Sequence, residues 1–248
     1  MRGECIFEDD ELFVLNKPSG MLVHRGWGTA EVALVDLARE RTYGRAAHPI
    51  QRLDRSASGP VLFAKNAQAA HAISTLAEAG HCRKHYLALV RGETPLCLDI
   101  DHPISRREDG PRVPARTLMH RVSTVVTLPR QVSLVVATPL TGRLHQIRRH
   151  LKHANHPLIG DVRYGKGNLN RAFGDGYGLR RLALHAYRWS VRWPETGRFI
   201  GGRVPLPEDL YAPLLAMGFR FDDERWPVEL ESIDEQACAV RESTLQVP

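Results

Sequence analysis

The apolar residues of this chain come in short runs, and that spacing constrains the fold more than any other feature. Residues 12–15, 61–64, 86–90 and 133–138 form stretches of four to six residues, several rich in β-branched side chains, which suits buried strands. Between them lie segments of helical period. Asn66 is placed to cap a helix carrying Ala69, Ile73, Leu76 and Ala77, with Gly80 as its stop. Residues 145–152 suit a short helix burying Ile147 and Leu151, and Pro207-Glu208-Asp209 opens another with Leu210, Leu214 and Met217 inward and Pro213 as a kink. No apolar run approaches the roughly 20 residues that cross a bilayer. Strands and helices interleave too irregularly for βαβ repeats, so the pattern predicts an α+β fold with a largely antiparallel or mixed sheet.

Weaker signals fill the gaps. Asn16-Lys17-Pro18-Ser19-Gly20 is turn chemistry between residues 12–15 and 21–24, which predicts a hairpin. Thr29 is read as the N-cap of a helix over 31–43, with Val32, Val35 and Leu37 toward a core and Gly44 as its stop. Residues 99–130 are read as loops or exposed hairpins, and the glycine-rich 165–178 as a loop. Leu182, Leu184 and Ala186 alternate before the phase shifts to Tyr187, Trp189, Val191 and Trp193, which predicts a bulge in a long strand.

The 248 residues are enough for one sizeable core or two small ones. The net charge of +6 is unevenly spread: residues 222–248 carry −6 and residues 1–221 carry +12, with eleven Lys/Arg against two Asp in 141–192. Such a block fits a polyanion partner or a solvated basic face. The simplest division is a catalytic domain over 1–221 and an acidic tail over 222–248. Cys5, Cys82, Cys97 and Cys238 are scattered without a Cys-x-x-Cys pair, so neither a zinc finger nor a disulfide framework is expected. The start lacks a signal-peptide core, and the chain is read as soluble, unprocessed and cytoplasmic.

Asp54 lies between Arg52 and Arg55 in a loop of small residues ahead of a strand. A carboxylate kept ionised by neighbouring guanidinium groups can act as nucleophile or base, although an ordinary turn cap or ion pair has the same appearance. The stretch Gln51-Arg52-Leu53-Asp54-Arg55-Ser56-Ala57-Ser58-Gly59 resembles the His-Arg-Leu-Asp-x-x-Thr-Ser-Gly motif of the RluA family of pseudouridine synthases. Four other segments agree in order and spacing. They are Glu8-Asp9-Asp10-Glu11-Leu12 leading to Asn16-Lys17-Pro18-Ser19-Gly20, then Lys84-His85-Tyr86, Gly142 through His150, and His156-Pro157-Leu158-Ile159-Gly160-Asp161. Together the five cover about residues 5–206. Gln51 and Ala57 depart from the usual His and Thr, which bears on loop placement but leaves the aspartate in place.

The resemblance implies a pseudouridine synthase fold with a bent mixed or antiparallel sheet. It implies an isomerase that detaches uracil from its ribose, turns it, and rejoins it through carbon, with no cofactor, nucleotide or metal. Asp54 takes the role of the aspartate that starts the reaction, Arg148 that of its ion-pair partner, and Tyr86 that of the tyrosine stacked against the flipped base. Arg52 corresponds to the side chain that fills the gap left in the RNA. Arg55, Arg143, His145, Arg149 and Lys152 are candidates for contacts to the RNA backbone. The likeness is strongest to members that lack an S4-type RNA-binding domain and act on tRNA near the junction of T and acceptor stems. A monomer with an RNA partner and no membrane association is expected.

A metal hydrolase built on His150, His153 and His156 fails because that spacing does not hold three ligands on one helix face. No Gly-x-Ser-x-Gly, Walker or dinucleotide pattern is present. The same chemistry on a ribosomal RNA hairpin, and an RNA-binding protein or chaperone without catalysis, remain as alternatives.

Overall fold

In a computed structural model, which describes residues 3–25, 32–105, 110–228 and 230, the short apolar runs become inner strands of two antiparallel sheets. The elements in order are β1 (Glu4–Glu8), β2 (Leu12–Lys17), α1 (Leu34–Arg41), β3 (His48–Pro49), β4 (Gly59–Ala64), α2 (Ala67–Glu78) and β5 (Cys82–Arg91). Then follow β6 (Cys97–Asp101), β7 (Ile104–Ser105), β8 (Arg112–Val113), β9 (Arg116–Val125), β10 (Val132–Pro139) and α3 (Gln146–His153). The last are α4 (Gly167–Tyr177), β11 (Leu184–Arg192), β12 (Phe199–Arg203) and α5 (Glu208–Ala216). The smaller sheet runs β1-β2-β4-β3 and the larger β12-β11-β5-β10-β9-β6, with β7-β8 as a separate ribbon. The expected α+β class is what the chain adopts.

The central strands of the larger sheet are apolar at successive positions because both of their faces are covered. Leu87, Leu89, Leu134 and Val136 point into a core shared with Phe173, Leu210 and Leu214 of α4 and α5. Tyr86, Ala88, Val135 and Ala137 point the other way, into a core with Phe13 and Phe63 of the smaller sheet and Ile147 and Leu151 of α3. Trp226 and Leu230 extend the first of these cores beyond α5. The bulge in β11 is present, as a register shift between Ala186 and Arg188 against β5. Asn66 caps α2 by accepting from the Ala69 amide at 2.8 Å.

The two sheets meet just before β4. Ser58 pairs with His185 as a parallel bridge: its amide donates to Leu184 O (3.3 Å), and its carbonyl accepts from the Ala186 amide (2.8 Å). The next residue, Gly59, has φ +123°, and a Cβ there would stand 2.1 Å from Ala186 O. Only glycine permits this approach. Behind it, the buried His185 engages Ser58 Oγ (2.9 Å) and Val204 O (3.0 Å), and burial pushes its pKa down to about 4.

Four expectations are corrected. Residues 21–24 form no strand with β2, which pairs instead with β1 and β4. The Leu22 and Val23 carbonyls accept from Leu34 and Val35, so this segment caps α1. That helix begins after Ala33, outside of which Thr29 and Glu31 lie beyond the described residues. Leu34 and Ala38 are its buried pair, whereas Val32 is exposed and Val35 and Leu37 are half-buried. Residues 99–130 include the antiparallel β7–β8 ribbon, in line with exposed hairpins, but also the ten-residue β9, paired on both sides, whose phase slips at Val122 where its register against β10 shifts. Residues 167–177 are helical despite their glycines because Leu169, Phe173 and Tyr177 recur at four-residue spacing over the first core. Gly178 then ends α4 in a left-handed conformation, φ 76°.

Gly59→Ala is expected to destabilise the fold by about 3 kcal/mol, since the methyl group meets backbone and cannot be absorbed by a rotamer change. Urea unfolding of the purified variant measures this, and a loss below about 0.5 kcal/mol contradicts the proposed closeness of the seam.

Candidate active site

The seam between the sheets opens on one side into a cleft of about 640 Å³. Its walls include Arg52, Asp54, Tyr86, Arg143, His145 and Arg148. Each arrives from a different local cause. Asp54 sits in the loop before β4, where the Ala57 amide donates to the Asp54 carbonyl (3.1 Å) and closes a turn. Tyr86 is placed by the two-residue period of β5. Arg148 is in the first turn of α3, whose Ile147 and Leu151 anchor it in the core.

Arg148 is buried and divides its guanidinium between two carboxylates. Nε and Nη2 donate to Asp161 Oδ2 (2.8 Å) and Oδ1 (2.9 Å), and Nη1 donates to Asp54 Oδ2 (3.1 Å). Asp161 is wholly enclosed, and its Oδ1 also accepts from the Arg163 and Tyr164 amides, both at 2.9 Å. Burial works to raise the Asp161 pKa, but these bonds and the charge of Arg148 outweigh it and hold the carboxyl below its ordinary value. Burial likewise opposes the charge on Arg148, and the two aspartates more than compensate. Tyr164 lies under Arg148 with its ring centroid 5.1 Å from the guanidinium carbon.

The two aspartates therefore differ in capacity. Asp161 spends its oxygens on four donors, whereas the side chain of Asp54 is one-fifth exposed and faces the cleft. Asp161 can hold, and Asp54 can react. Beside it, burial and then the charge of Asp54 push the Tyr86 phenol well above its usual pKa, so it is a neutral donor at pH 7.

The loop bearing Asp54 is fixed by Lys17, a residue the sequence reading did not select. Lys17 is fully buried, and its Nζ donates toward four carbonyls: Pro18 (2.9 Å), Met21 (2.9 Å), Arg55 (3.0 Å) and Ala57 (2.6 Å). Ser19 Oγ adds a bond to Ser56 O (2.8 Å). The turn chemistry at 16–20 thus serves this loop instead of a hairpin.

The basic candidates separate into two groups. Arg52, Arg143 and His145 line the cleft; His145 has φ 52° and bonds Tyr164 Oη through Nδ1 (3.1 Å). Burial first, then Arg148 and Arg163, push its imidazole below the usual pKa against the pull of Asp54 and Asp161. Arg55, Arg149 and Lys152 stand outside the lining. Arg55 Nε donates to Gly20 O (2.9 Å), and Arg149 donates to Ser105 O and Oγ, each at 2.9 Å. Lys152 is exposed, with its ammonium 5.8 Å from the Tyr164 ring centre. The three histidines of the metal reading do not converge: His150 engages Thr117 Oγ1 and His102 O, and His156 engages Arg91 O.

An aspartate on an arginine clamp stands beside a buried tyrosine in this cleft. The model of the RNA pseudouridylate synthase family matches residues 11–153. The tRNA pseudouridine synthase C of Haemophilus ducreyi is 36% identical over 240 residues, covering 90% of this chain and 99% of that protein. The ribosomal large subunit pseudouridine synthase C of Yersinia pestis is 37% identical over 223 residues, covering 87% of this chain and 69% of that protein. Among solved structures, human RNA pseudouridylate synthase domain containing 4 superposes with a TM-score of 0.69 at 24% identity, covering 86% and 92% of the two chains, which supports the fold. The chain belongs to the RNA pseudouridylate synthase family, in its RluA branch. Its activity is the isomerisation of uridine to pseudouridine in RNA.

Asp161→Asn is expected to cost about 3 kcal/mol of stability at pH 7, because a buried guanidinium loses its main counter-charge. The folded pKa of Asp161 lies below the unfolded value of about 3.9, so its contribution is present above that value and lost as pH falls through the folded one. Melting curves of both proteins from pH 7 to pH 2 should therefore converge at the acid end. Parallel curves would show that the pair with Arg148 is not the source of the loss.

Proposed function

We propose that this enzyme modifies a uridine of tRNA near the junction of the T and acceptor stems, and that Asp54 starts the reaction. The observation that carries the site assignment is the division of Arg148 between a saturated Asp161 and an Asp54 that faces the cleft. The target base must leave the RNA stack to reach that carboxylate. Arg52, exposed on the rim two residues away, fills the space it vacates; a planar cation stacks on bases while keeping a phosphate contact. Tyr86 stacks against the flipped uracil and takes part in proton transfer. Arg148 keeps Asp54 charged and aimed, an electrostatic arrangement already in place before substrate arrives. Arg143 and His145 hold the RNA backbone at the cleft, with Arg55, Arg149 and Lys152 contributing from its outer side.

The tRNA assignment rests on the relatives that bear that name, one of which this chain matches over 99% of its length. A ribosomal RNA hairpin is the second reading, favoured by the Yersinia pestis relative. The enzyme is further read as a cytoplasmic monomer with a catalytic unit over 1–221 and an acidic tail over 222–248, of which Trp226 and Leu230 pack on the core. Among the described residues no helix is long and apolar enough to cross a membrane.

Tritium release from tRNA carrying 5-tritiated uridine tests the chemistry. Asp54→Asn should lower it ~10³-fold while leaving tRNA affinity within ~3-fold. Arg148→Ala should reduce turnover by ~10² or more with affinity similarly preserved; equal losses in both would make Arg148 a phosphate contact. A wild-type protein that binds tRNA and releases nothing leaves the non-catalytic reading in place. Carbodiimide mapping of total RNA from a deletion strain decides the substrate: loss of a 23S site with tRNA unchanged overturns the tRNA assignment.

A further inference from the structure

Three buried side-chain polar atoms lack a hydrogen-bond partner among the described residues: Lys84 Nζ, Thr94 Oγ1 and Trp189 Nε1. Two of them, Lys84 and Trp189, line one small chamber behind the cleft. These residues face each other across the β5–β11 pair, which sends both side chains to the same face of the sheet. The space open to the centre of a water molecule is about 10 Å³, room for one water. Both groups are donors. An enclosed ammonium without an acceptor costs several kcal/mol, and a methionine would fill the same volume without that cost. An acceptor stands in the same wall: Gln51 lines both the chamber and the cleft, and it begins the loop that carries Arg52 and Asp54.

We propose that Gln51 and Lys84 meet across one water in this chamber, and that the bridge holds the start of the Asp54 loop against β5. Both are then positioning residues for Arg52 and Asp54. The water accepts from Lys84 Nζ and Trp189 Nε1 and donates to the Gln51 carbonyl, a usual number of partners for a buried water. Burial brings the Lys84 pKa down to about 8, which leaves the ammonium the main form at neutral pH.

The rate measurement rests on the enzyme reading above; a stability measurement does not. Single-turnover pseudouridine formation and RNA affinity are compared for wild type, Gln51→Leu, Gln51→Glu, Lys84→Met and the double variant Gln51→Leu/Lys84→Met. Each of Gln51→Leu and Lys84→Met should slow the single-turnover step about tenfold with affinity within ~2-fold, and the double variant should be no slower than the slower single. Gln51→Glu, which keeps an acceptor, should return to within ~3-fold of wild type. Losses that multiply in the double variant, a Lys84→Met rate equal to wild type, or a Gln51→Glu rate as low as that of Gln51→Leu each overturn the bridge. Should Lys84→Met not fold, the comparison of the two Gln51 variants, at a half-buried loop position, decides alone. In thermal unfolding of the free proteins the Gln51→Leu and Lys84→Met effects should likewise be non-additive, and additive effects refute the bridge. If wild type forms no pseudouridine, the enzyme reading fails while the melting data still judge the bridge.

Discussion

One guanidinium organises the centre of this protein. Arg148 has a planar fork of donors, and the fold uses two of its edges for different purposes. Asp161 takes the paired edge and fixes the plane; Asp54 takes the remaining nitrogen. A lysine could offer charge but no such plane. The orientation of Asp54 therefore depends on a carboxylate 107 residues further along the chain, and through it on the backbone amides of Arg163 and Tyr164. The placement of α3 is equally determined: His150 of that helix is tied on both ring nitrogens, to Thr117 on β9 and to the His102 carbonyl.

How much of this could be read from the sequence follows from what each residue does. Strands β4, β5 and β10 were legible because burial on both faces makes them continuous apolar runs. Strand β9 was not, since its phase slips at Val122 and neither half is long enough to show a period. Helix α4 was hidden by glycines, each unfavourable by about 1 kcal/mol relative to alanine, which tertiary packing of Phe173 overrides. Residues 16–20 read as a hairpin turn because turn chemistry says nothing about which carbonyls a buried lysine will collect.

The site divides along the same line. Asp54, Tyr86 and Arg148 were selected by motif, and the fold brings all three to one cleft. Counting basic residues also pointed to Arg149 and Lys152, but charge density carries no direction. Neighbours in a helix differ by about 100°, so Arg149 turns from Arg148 toward Ser105. Asp161 ends the motif that begins at His156 and lies thirteen residues from Arg148, yet only its burial distinguishes it from a surface acid. Lys17 was hidden for the same reason.

The carbonyls of Asp54, Arg55, Ser56, Ala57 and Ser58 all accept hydrogen bonds, from Ala57 within the loop, from β2 and its turn, and from β11. A segment so tied belongs to two sheets at once and behaves as a joint, not a flap. It cannot travel to meet a substrate without parting the sheets it joins. On the functional reading above, the work of bringing base and carboxylate together then falls on the nucleic acid. Selection among uridines becomes a matter of how readily the surrounding RNA can be deformed, with the protein serving as the rigid partner against which that deformability is measured.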